Sequence, residues 1–234
     1  MALTAAVVGC TGLTGSHILT TLLGLDAFKS VYTISRRAPA AESPKLTATL
    51  EPDTSKWTSN LSSITPPPSI VFSALGTTRA QAGGIANQWK IDHDLNVELI
   101  KAARNAGVKT FVFVSSAGTR GYIANSVPYS RMKIGVEDAI KDGGFEQAII
   151  LRPGMILGKR EVEHQGGPLL TFLVRGLGKI AQGAQDAFGQ ESEVIARAAV
   201  RAAVLAQEGK APSKYWVLEQ ADIVKYGRDE YPKA

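Results

Sequence analysis

The chain has 234 residues, enough for one sizeable hydrophobic core and short for two. Hydrophobic residues make up 44% and charged residues 20%, the balance of a soluble globular protein. The net charge of +5 comes without a cluster of basic and aromatic residues, so a nucleic-acid surface is not expected. One cysteine, Cys10, rules out an intramolecular disulfide and points to a reducing compartment, and no apolar stretch approaches the roughly 20 residues that span a bilayer.

Strand-like residues begin at once, with no signal-peptide core and no Arg-rich presequence, so any membrane association is expected to be peripheral. Ala5 to Val8 reads as a short buried strand and Gly9 to Gly15 as a tight loop. Ile18, Leu19, Leu22 and Leu23 give Thr14 to Leu25 a helical period. Val31 to Ser35 is a second strand and Leu46 to Leu50 a weaker third. The three prolines at 66–68 mark a rigid entry into a fourth strand, Ile70 to Leu75. After Gly83-Gly84, Ile85 to Ala106 reads as one long helix stopped by Gly107. Thr110 to Ser115 is the fifth strand, Tyr129 to Lys141 a helix, and Gln147 to Arg152 a sixth strand stopped by Pro153-Gly154. Residues 155–190 look irregular and glycine-rich, with a helix suggested at Leu169 to Leu177. Glu191 to Gln207 is a strong helix and Tyr215 to Leu218 a last strand. Strands alternating with helices predict an α/β fold: a Rossmann-type, doubly wound parallel sheet in a single domain over 1–234, with 155–190 as a substrate cap.

The first loop, Gly9-Cys10-Thr11-Gly12-Leu13-Thr14-Gly15, spaces three glycines three apart between a strand and a helix. The first permits a sharp turn, the second lets backbone approach a pyrophosphate, and the third lets helix pack on strand. The helix amino terminus offers amide donors to an anion. Gly9, Thr11, Gly12, Leu13, Thr14 and Gly15 are therefore candidate dinucleotide-binding residues. Cys10 within the loop reads as a small buried filler rather than a reactive thiol. NAD readers usually place Asp or Glu at the end of the second strand, whereas this chain has Ser35-Arg36-Arg37. Two guanidinium groups and a hydroxyl suit a 2′-phosphate, so NADP(H) is expected over NAD(H).

The fifth strand ends in Ser115-Ser116, and Tyr129 and Lys133 follow on a helix, four residues apart and so on one face. A free tyrosine titrates near 10, and a neighbouring ammonium favours its phenolate. Tyr129 would then give a proton to a carbonyl or take one from an alcohol, with Ser116 orienting that oxygen. Strand alternation lets only one of the two serines face the site, and Ser116, just before Ala117-Gly118, is favoured. His17, His93 and His164 lack metal-ligand spacing, so no metal site is expected; His93 reads as part of a solvated helix face. Lys159 to Glu163 is read either as an exposed loop or as a rim contact, and Leu169 to Val174 as packing of the cap.

Seven segments together carry a resemblance. They are Ser35-Arg36-Arg37, Leu75 to Arg79, Asp92-His93-Asp94, Ser115 to Gly118, Tyr129 to Lys133, Leu151 to Gly154 and Val194 to Ala199. With the glycine loop they resemble the atypical branch of the short-chain dehydrogenase/reductase superfamily. Within it they are similar to the small group containing the human Tat-interactive oxidoreductase and fungal proteins of the mitochondrial proteome. The resemblance implies NADP at the glycine loop, Arg36 or Arg37 at the adenosine phosphate, and Leu75 and Gly76 beside the cofactor. It also implies that Ser115, Lys133 and Pro153 lie near the nicotinamide end, and that the fungal members attach to the outer mitochondrial membrane, facing the cytosol.

Three readings follow. The first is an NADPH-dependent oxidoreductase interconverting a carbonyl and an alcohol of a small-molecule substrate. The second is an NADP(H)-binding regulatory or interaction protein with little turnover. The third, a nucleotide-sugar epimerase with retained NAD, ranks last, because the short carboxyl-terminal portion leaves little room for a sugar nucleotide. The helices at 85–106 and 129–141 are of a length to pair across a two-fold axis, so a homodimer is an expectation, with a cytoplasmic or outer-membrane location.

Overall fold

A computed structural model describes residues 2–121, 127–158, 186 and 188–232. Its centre is a seven-stranded sheet in which every neighbouring pair runs parallel. The strands are β1 (Leu3–Val8), β2 (Phe28–Ser35), β3 (Leu46–Leu50), β4 (Ile70–Ser73), β5 (Thr110–Val114), β6 (Gln147–Leu151) and β9 (Tyr215–Leu218), in the order β3-β2-β1-β4-β5-β6-β9. The short strands β7 (Met155–Leu157) and β8 (Gly189–Glu191) form a separate parallel pair. The chain winds outward from β1 to β3, then crosses back to start β4 on the other side of β1. That reversal opens a crevice beyond the carboxyl ends of β1 and β4, where ligands of such sheets bind.

Helices cover both faces, which is why the central strands are apolar on both sides. Successive residues of β1 and β5 divide between two cores. Ala5, Val7, Val112 and Val114 pack with Ile18 and Leu22 of α1 (Leu13–Gly24) and with Ile195 and Ala199 of α7 (Ser192–Gln207). Ala6, Val8, Phe111 and Phe113 pack with Leu61 of α2 (Trp57–Ser62), Leu99 of α5 (Asn96–Asn105), and Val136 and Ile140 of α6 (Pro128–Asp142). Alanines at 196, 199, 202, 203 and 206 of α7 are buried. Small side chains there let α1 and α7 pack against each other over the sheet.

The long helix expected over 85–106 is present but not uniform. α3 (Arg79–Ala82) leads into α4 (Ile85–Trp89), a π-helical turn (Lys90–Leu95) and then α5. The wide turn carries Asp92, His93 and Asp94, and such insertions concentrate where a helix must aim side chains inward. Residues 155–190 are not irregular throughout, because their ends pair as β7 and β8. The helix suggested at 169–177, the segment 159–163, Leu169 to Val174 and His164 lie outside the described residues. After β9 the chain adds α8 (Gln220–Val224), with a reciprocal cap between Glu219 and Asp222, and a second π-helical turn, Lys225–Asp229. Neither was expected from the sequence. Among the described residues no helix is long and apolar enough to cross a membrane.

Tyr215, at the start of β9, has a buried hydroxyl without a hydrogen-bond partner among the described residues. Burial, then the negative charge of Glu137, pushes its pKa up to about 12. A group raised in the folded state stabilises fully below its unfolded value near 10 and loses that contribution as pH climbs through the folded one. Tyr215→Phe should therefore flatten the loss of stability in alkali. At neutral pH it should be neutral or stabilising by up to about 1 kcal/mol, because an orphaned hydroxyl is removed. Urea unfolding of both proteins from pH 7 to 11 checks this.

Candidate active site

The glycine loop is built by close backbone approach at two points. Gly9 has φ +84, and a Cβ there would lie 2.7 Å from the Ala74 carbonyl group, so the loops after β1 and β4 touch at the switch point. At Gly15 a Cβ would fall 2.1 Å from the carbonyl oxygen of Gly9, so α1 can begin this close to the strand only without a side chain there. Gly12 closes the turn by donating its N–H to Gly9 O at 3.0 Å. α1 has no side-chain cap at its amino terminus and no acidic residue in its first turn. Its first amides and the positive end of its dipole are therefore left to an anion. Thr11, Gly12 and Leu13 are accessible there, while Thr14 and Gly15 are buried. Cys10 is buried, and burial pushes its thiol up, as a structural filler requires.

At the end of β2 the Ser35 hydroxyl donates to the carbonyl of Arg37 at 2.7 Å, turning the chain so that both Arg36 and Arg37 are exposed. β2 ends in Ser35, followed by Arg36 and Arg37, and the acidic side chain beside them, Glu51 after β3, turns to the N–H of Asp53 at 2.9 Å. The glycine loop, the open amides of α1 and this cationic edge together fit a dinucleotide, with the adenosine end toward the arginines.

The other half of the crevice is made by the ends of β4 and β5 and by α6. Lys133 is 5% exposed. Its Nζ donates to the carbonyl of Val114 at 3.4 Å and lies 4.8 Å from the centre of the Phe113 ring. One turn along α6, the fully buried Glu137 accepts the Ser115 hydroxyl at 2.6 Å. These two links tie α6 to the last residues of β5. Ser115 turns its hydroxyl toward the helix, where Glu137 accepts it, while Ser116 remains half-exposed. The N–H of Ala117 donates to Pro153 O at 2.7 Å, bringing the serine loop beside Pro153. Tyr129, one turn before Lys133, is 38% exposed at the amino-terminal turn of α6. Ser116, Lys133 and Pro153 thus converge at the strand ends, with Tyr129 at the rim.

Two further groups belong to this region and carried no signal when single motifs were read. Glu137 receives Nε of Arg152 at 3.1 Å and its NH2 group at 2.7 Å, together with Nε of Arg120 at 3.0 Å. Arg120 also pairs with Asp138, and Arg152 with Glu219 at 2.9 Å. Burial pushes the Glu137 carboxyl up, but Arg152, Ser115 and Arg120 outweigh it and hold the group below the ordinary carboxylate range. The second group is Asp92, 1% exposed, whose Oδ1 accepts the Thr77 N–H at 2.6 Å and whose Oδ2 accepts the Gln88 amide at 3.3 Å. Burial pushes this carboxyl up, opposed by the charge of Lys133. The spacing held the missing signal: 129, 133 and 137 form one row on α6, and Gln88, Asp92 and Asn96 another on the opposite helix. His93 bonds to Asp94 at 2.8 Å, packs against Trp89 and lies under Gly135 of α6, where a Cβ would collide with its Nε2, so it sits in the contact with α6 and not on the solvated face expected. Among the described residues no three His, Cys, Asp or Glu side chains gather as a metal site.

The model of the NAD dependent epimerase/dehydratase family matches residues 5–195. The chain belongs to that family. It is 62% identical over 227 residues to "Protein fmp52-2, mitochondrial" of Aspergillus terreus, covering 97% of this chain and 98% of that one. It is also 62% identical to "Protein FMP52, mitochondrial" of Chaetomium globosum, covering 96% and 97%. The chain is therefore an atypical short-chain dehydrogenase/reductase of the fungal group that its motifs resembled. Among solved structures, Bordetella bronchiseptica WbmF in complex with NAD+ matches with a TM-score of 0.68 at 16% identity, covering 94% of this chain and 73% of that one. The UDP-N-acetylglucosamine 4-epimerase of Methanobrevibacter ruminantium matches with a TM-score of 0.67 at 20% identity, covering 93% and 76%. These likenesses establish the fold. Membership of the family brings pyridine-nucleotide chemistry of the oxidoreductase kind.

Glu137→Gln should lower stability at pH 7 by about 3 kcal/mol, the low end for breaking a buried ion pair, because the Arg120 side chain is 40% exposed. A carboxyl depressed in the folded state stabilises above its unfolded value, near 4.5, and loses this as pH falls through the folded one. The wild type should accordingly lose stability below that value more steeply than the variant does. Urea midpoints measured from pH 7 to 3 test both parts.

Proposed function

We propose that this protein is an NADP(H)-dependent oxidoreductase that interconverts a carbonyl and an alcohol on a small molecule. What supports the reading is the fixing of α6 at the end of β5 by Lys133 and Glu137, on the helix face that also carries Tyr129. When bound, NADP(H) supplies or accepts the hydride. The chain's own work is to hold the nucleotide, orient the reacting oxygen and move one proton. Gly9, Thr11, Gly12, Leu13, Thr14 and Gly15 would hold the pyrophosphate, and Ser35, Arg36 and Arg37 the 2′-phosphate. Leu75, Gly76, Ser115, Lys133 and Pro153 would border the nicotinamide end. The Ser116 hydroxyl would hydrogen-bond the substrate oxygen. The Tyr129 phenol would donate its proton to that oxygen in reduction and recover one from the alcohol in oxidation, with the Lys133 ammonium stabilising the phenolate between turnovers.

One observation favours this reading over a nucleotide-sugar epimerase: exposed arginines stand where NAD readers keep a carboxylate. The names of the fungal relatives support a mitochondrial location, for which a peripheral position on the cytosolic face of the outer membrane is our reading. Association as a homodimer through the helices on the α4–α6 side is part of the same proposal.

Carbonyl-dependent oxidation of NADPH should fall by about 10²–10⁴ in Tyr129→Phe while NADPH binding is kept. Tight NADPH binding without turnover of any carbonyl in the wild type would instead favour a nucleotide-responsive binding protein. In a separate measurement, the double variant Arg36→Ala/Arg37→Ala should weaken NADPH binding by about tenfold or more for each charged hydrogen bond lost and leave NADH binding unchanged. Tighter binding of NADH than of NADPH by the wild type would exclude the assignment of the 2′-phosphate site.

A further inference from the structure

Lys133 presents a problem of charge. A buried ammonium has three donors, yet among the described residues Nζ makes one hydrogen bond, a long one to Val114 O at 3.4 Å, with the Phe113 ring 4.8 Å away. An isolated buried charge is costly and needs a partner. An opposite charge faces it from the π-helical turn, where Asp92 feels the Lys133 ammonium. A Cβ built on Gly76 would lie 3.7 Å from Lys133 Nζ and 3.8 and 4.0 Å from the two carboxylate oxygens of Asp92. Ammonium and carboxylate therefore flank the same space, under a glycine that is itself exposed to the crevice, without closing to direct ion-pair distance.

The carboxylate is not free to move. The Thr77 N–H holds one oxygen and the Gln88 amide the other. Gln88 also donates to the Thr77 carbonyl at 3.2 Å, so the Gly76–Thr77 turn and the π-helical turn form one rigid unit. Four residues on, Asn96 accepts the Ser73 hydroxyl at 2.6 Å and donates to Asp92 O at 3.2 Å, anchoring that unit to the end of β4. Asp92 lies in one row with Gln88 and Asn96, while the adjacent His93 packs between Trp89 and Gly135 of α6.

We infer that Asp92 is a positioning residue of this site: its pinned carboxylate is the counter-charge that holds the Lys133 amine as an ammonium beneath Gly76. Its effect on turnover rests on the oxidoreductase reading; the pairing itself does not. Without the carboxylate, Lys133 keeps only a distant carbonyl and a ring face. It then no longer presents a fixed positive charge to Tyr129 and the crevice. Asparagine at 92 can still accept the Thr77 N–H, so Asp92→Asn removes the charge while preserving the turn, which separates this role from mere support of the loop.

The test uses Asp92→Asn, with Asp94→Asn, a change at the exposed partner of His93, as control. Trace acetylation of the ligand-free proteins by acetic anhydride, read by mass spectrometry, should show Lys133 reacting about tenfold faster or more in Asp92→Asn. Other lysines, and Lys133 in Asp94→Asn, should keep their wild-type rates. In turnover, Asp92→Asn should lower kcat by about tenfold to a hundredfold, with the KM for NADPH changed far less. Unchanged Lys133 reactivity overturns the inference, whatever happens to turnover. Raised reactivity in a protein whose wild type reduces no carbonyl sustains the pairing and removes the oxidoreductase reading. Should Asp92→Asn fail to fold, Lys133→Met in the same chain decides. Recovery of folding in the double variant sustains a charge pair, and no recovery overturns it.

Discussion

The attachment of α6 to the carboxyl end of β5 governs the geometry of the whole crevice. A helix lying on a parallel sheet is held mostly by apolar contacts, here Val136 and Ile140 against Phe111 and Phe113, and such contacts tolerate sliding. Two directional bonds one turn apart, from Lys133 to Val114 O and from Ser115 to Glu137, remove that freedom. Because the row 129, 133, 137 shares a helix face, fixing the last two members fixes where the first can reach. The arginines around Glu137 extend the constraint. Arg152 links it to β6 and Glu219, and Arg120 links it to the loop that begins with Ser116. One buried carboxylate thus ties together α6, the end of β5, the end of β6 and the serine loop.

The central strands of the parallel sheet were legible because each is a short apolar run bounded by turn residues and covered on both faces, whereas the edge strand β3 is largely exposed and reads more weakly. The glycine loop was legible because its steric demands are specific: at 9 and 15 only glycine fits the backbone of Ala74 and of Gly9. The buried polar rows were harder to see. Asp92 reads as one of two acids flanking a histidine, and in a regular helix those three would point three ways. What buries Asp92 is its place in the i, i+4 row with the buried Gln88 and Asn96. Glu137 looked like an ordinary helix glutamate because its partners, Arg120 and Arg152, are separated from it by 17 and 15 residues. The short α3 and α8 lack the length over which a helical period can be counted. The partner of Ser115 was not legible either: alternation says that neighbouring serines face apart, but the carboxylate that accepts the Ser115 hydroxyl comes from a residue 22 positions on.

Burial of polar groups at one end of the sheet explains how a stable frame can coexist with a reactive crevice. β2 and β4 end in buried serines, and β5 is followed at once by one. Each hydroxyl has a partner: Ser35 with Arg37 O, Ser73 with Asn96 and Ser115 with Glu137. A strand that stops beneath a ligand must satisfy its last polar groups without extending the ladder, and a short hydroxyl can do so without occupying the crevice. Beyond those serines stand residues of a different kind: Arg36 and Arg37 exposed, Gly76 bare, Ser116 half-exposed. The first layer consumes its hydrogen bonds in holding the fold, and the second keeps its chemistry for what enters. Asp92 and Lys133 sit on the boundary between the two. Both are buried like the frame, yet both are aimed at the one backbone position, Gly76, where the absence of a side chain lets their charges be felt outside. A Cβ at 76 would fit at ordinary van der Waals distance from both groups, so the glycine answers no steric demand of the backbone; its effect is to leave the two charges unscreened toward whatever enters the crevice.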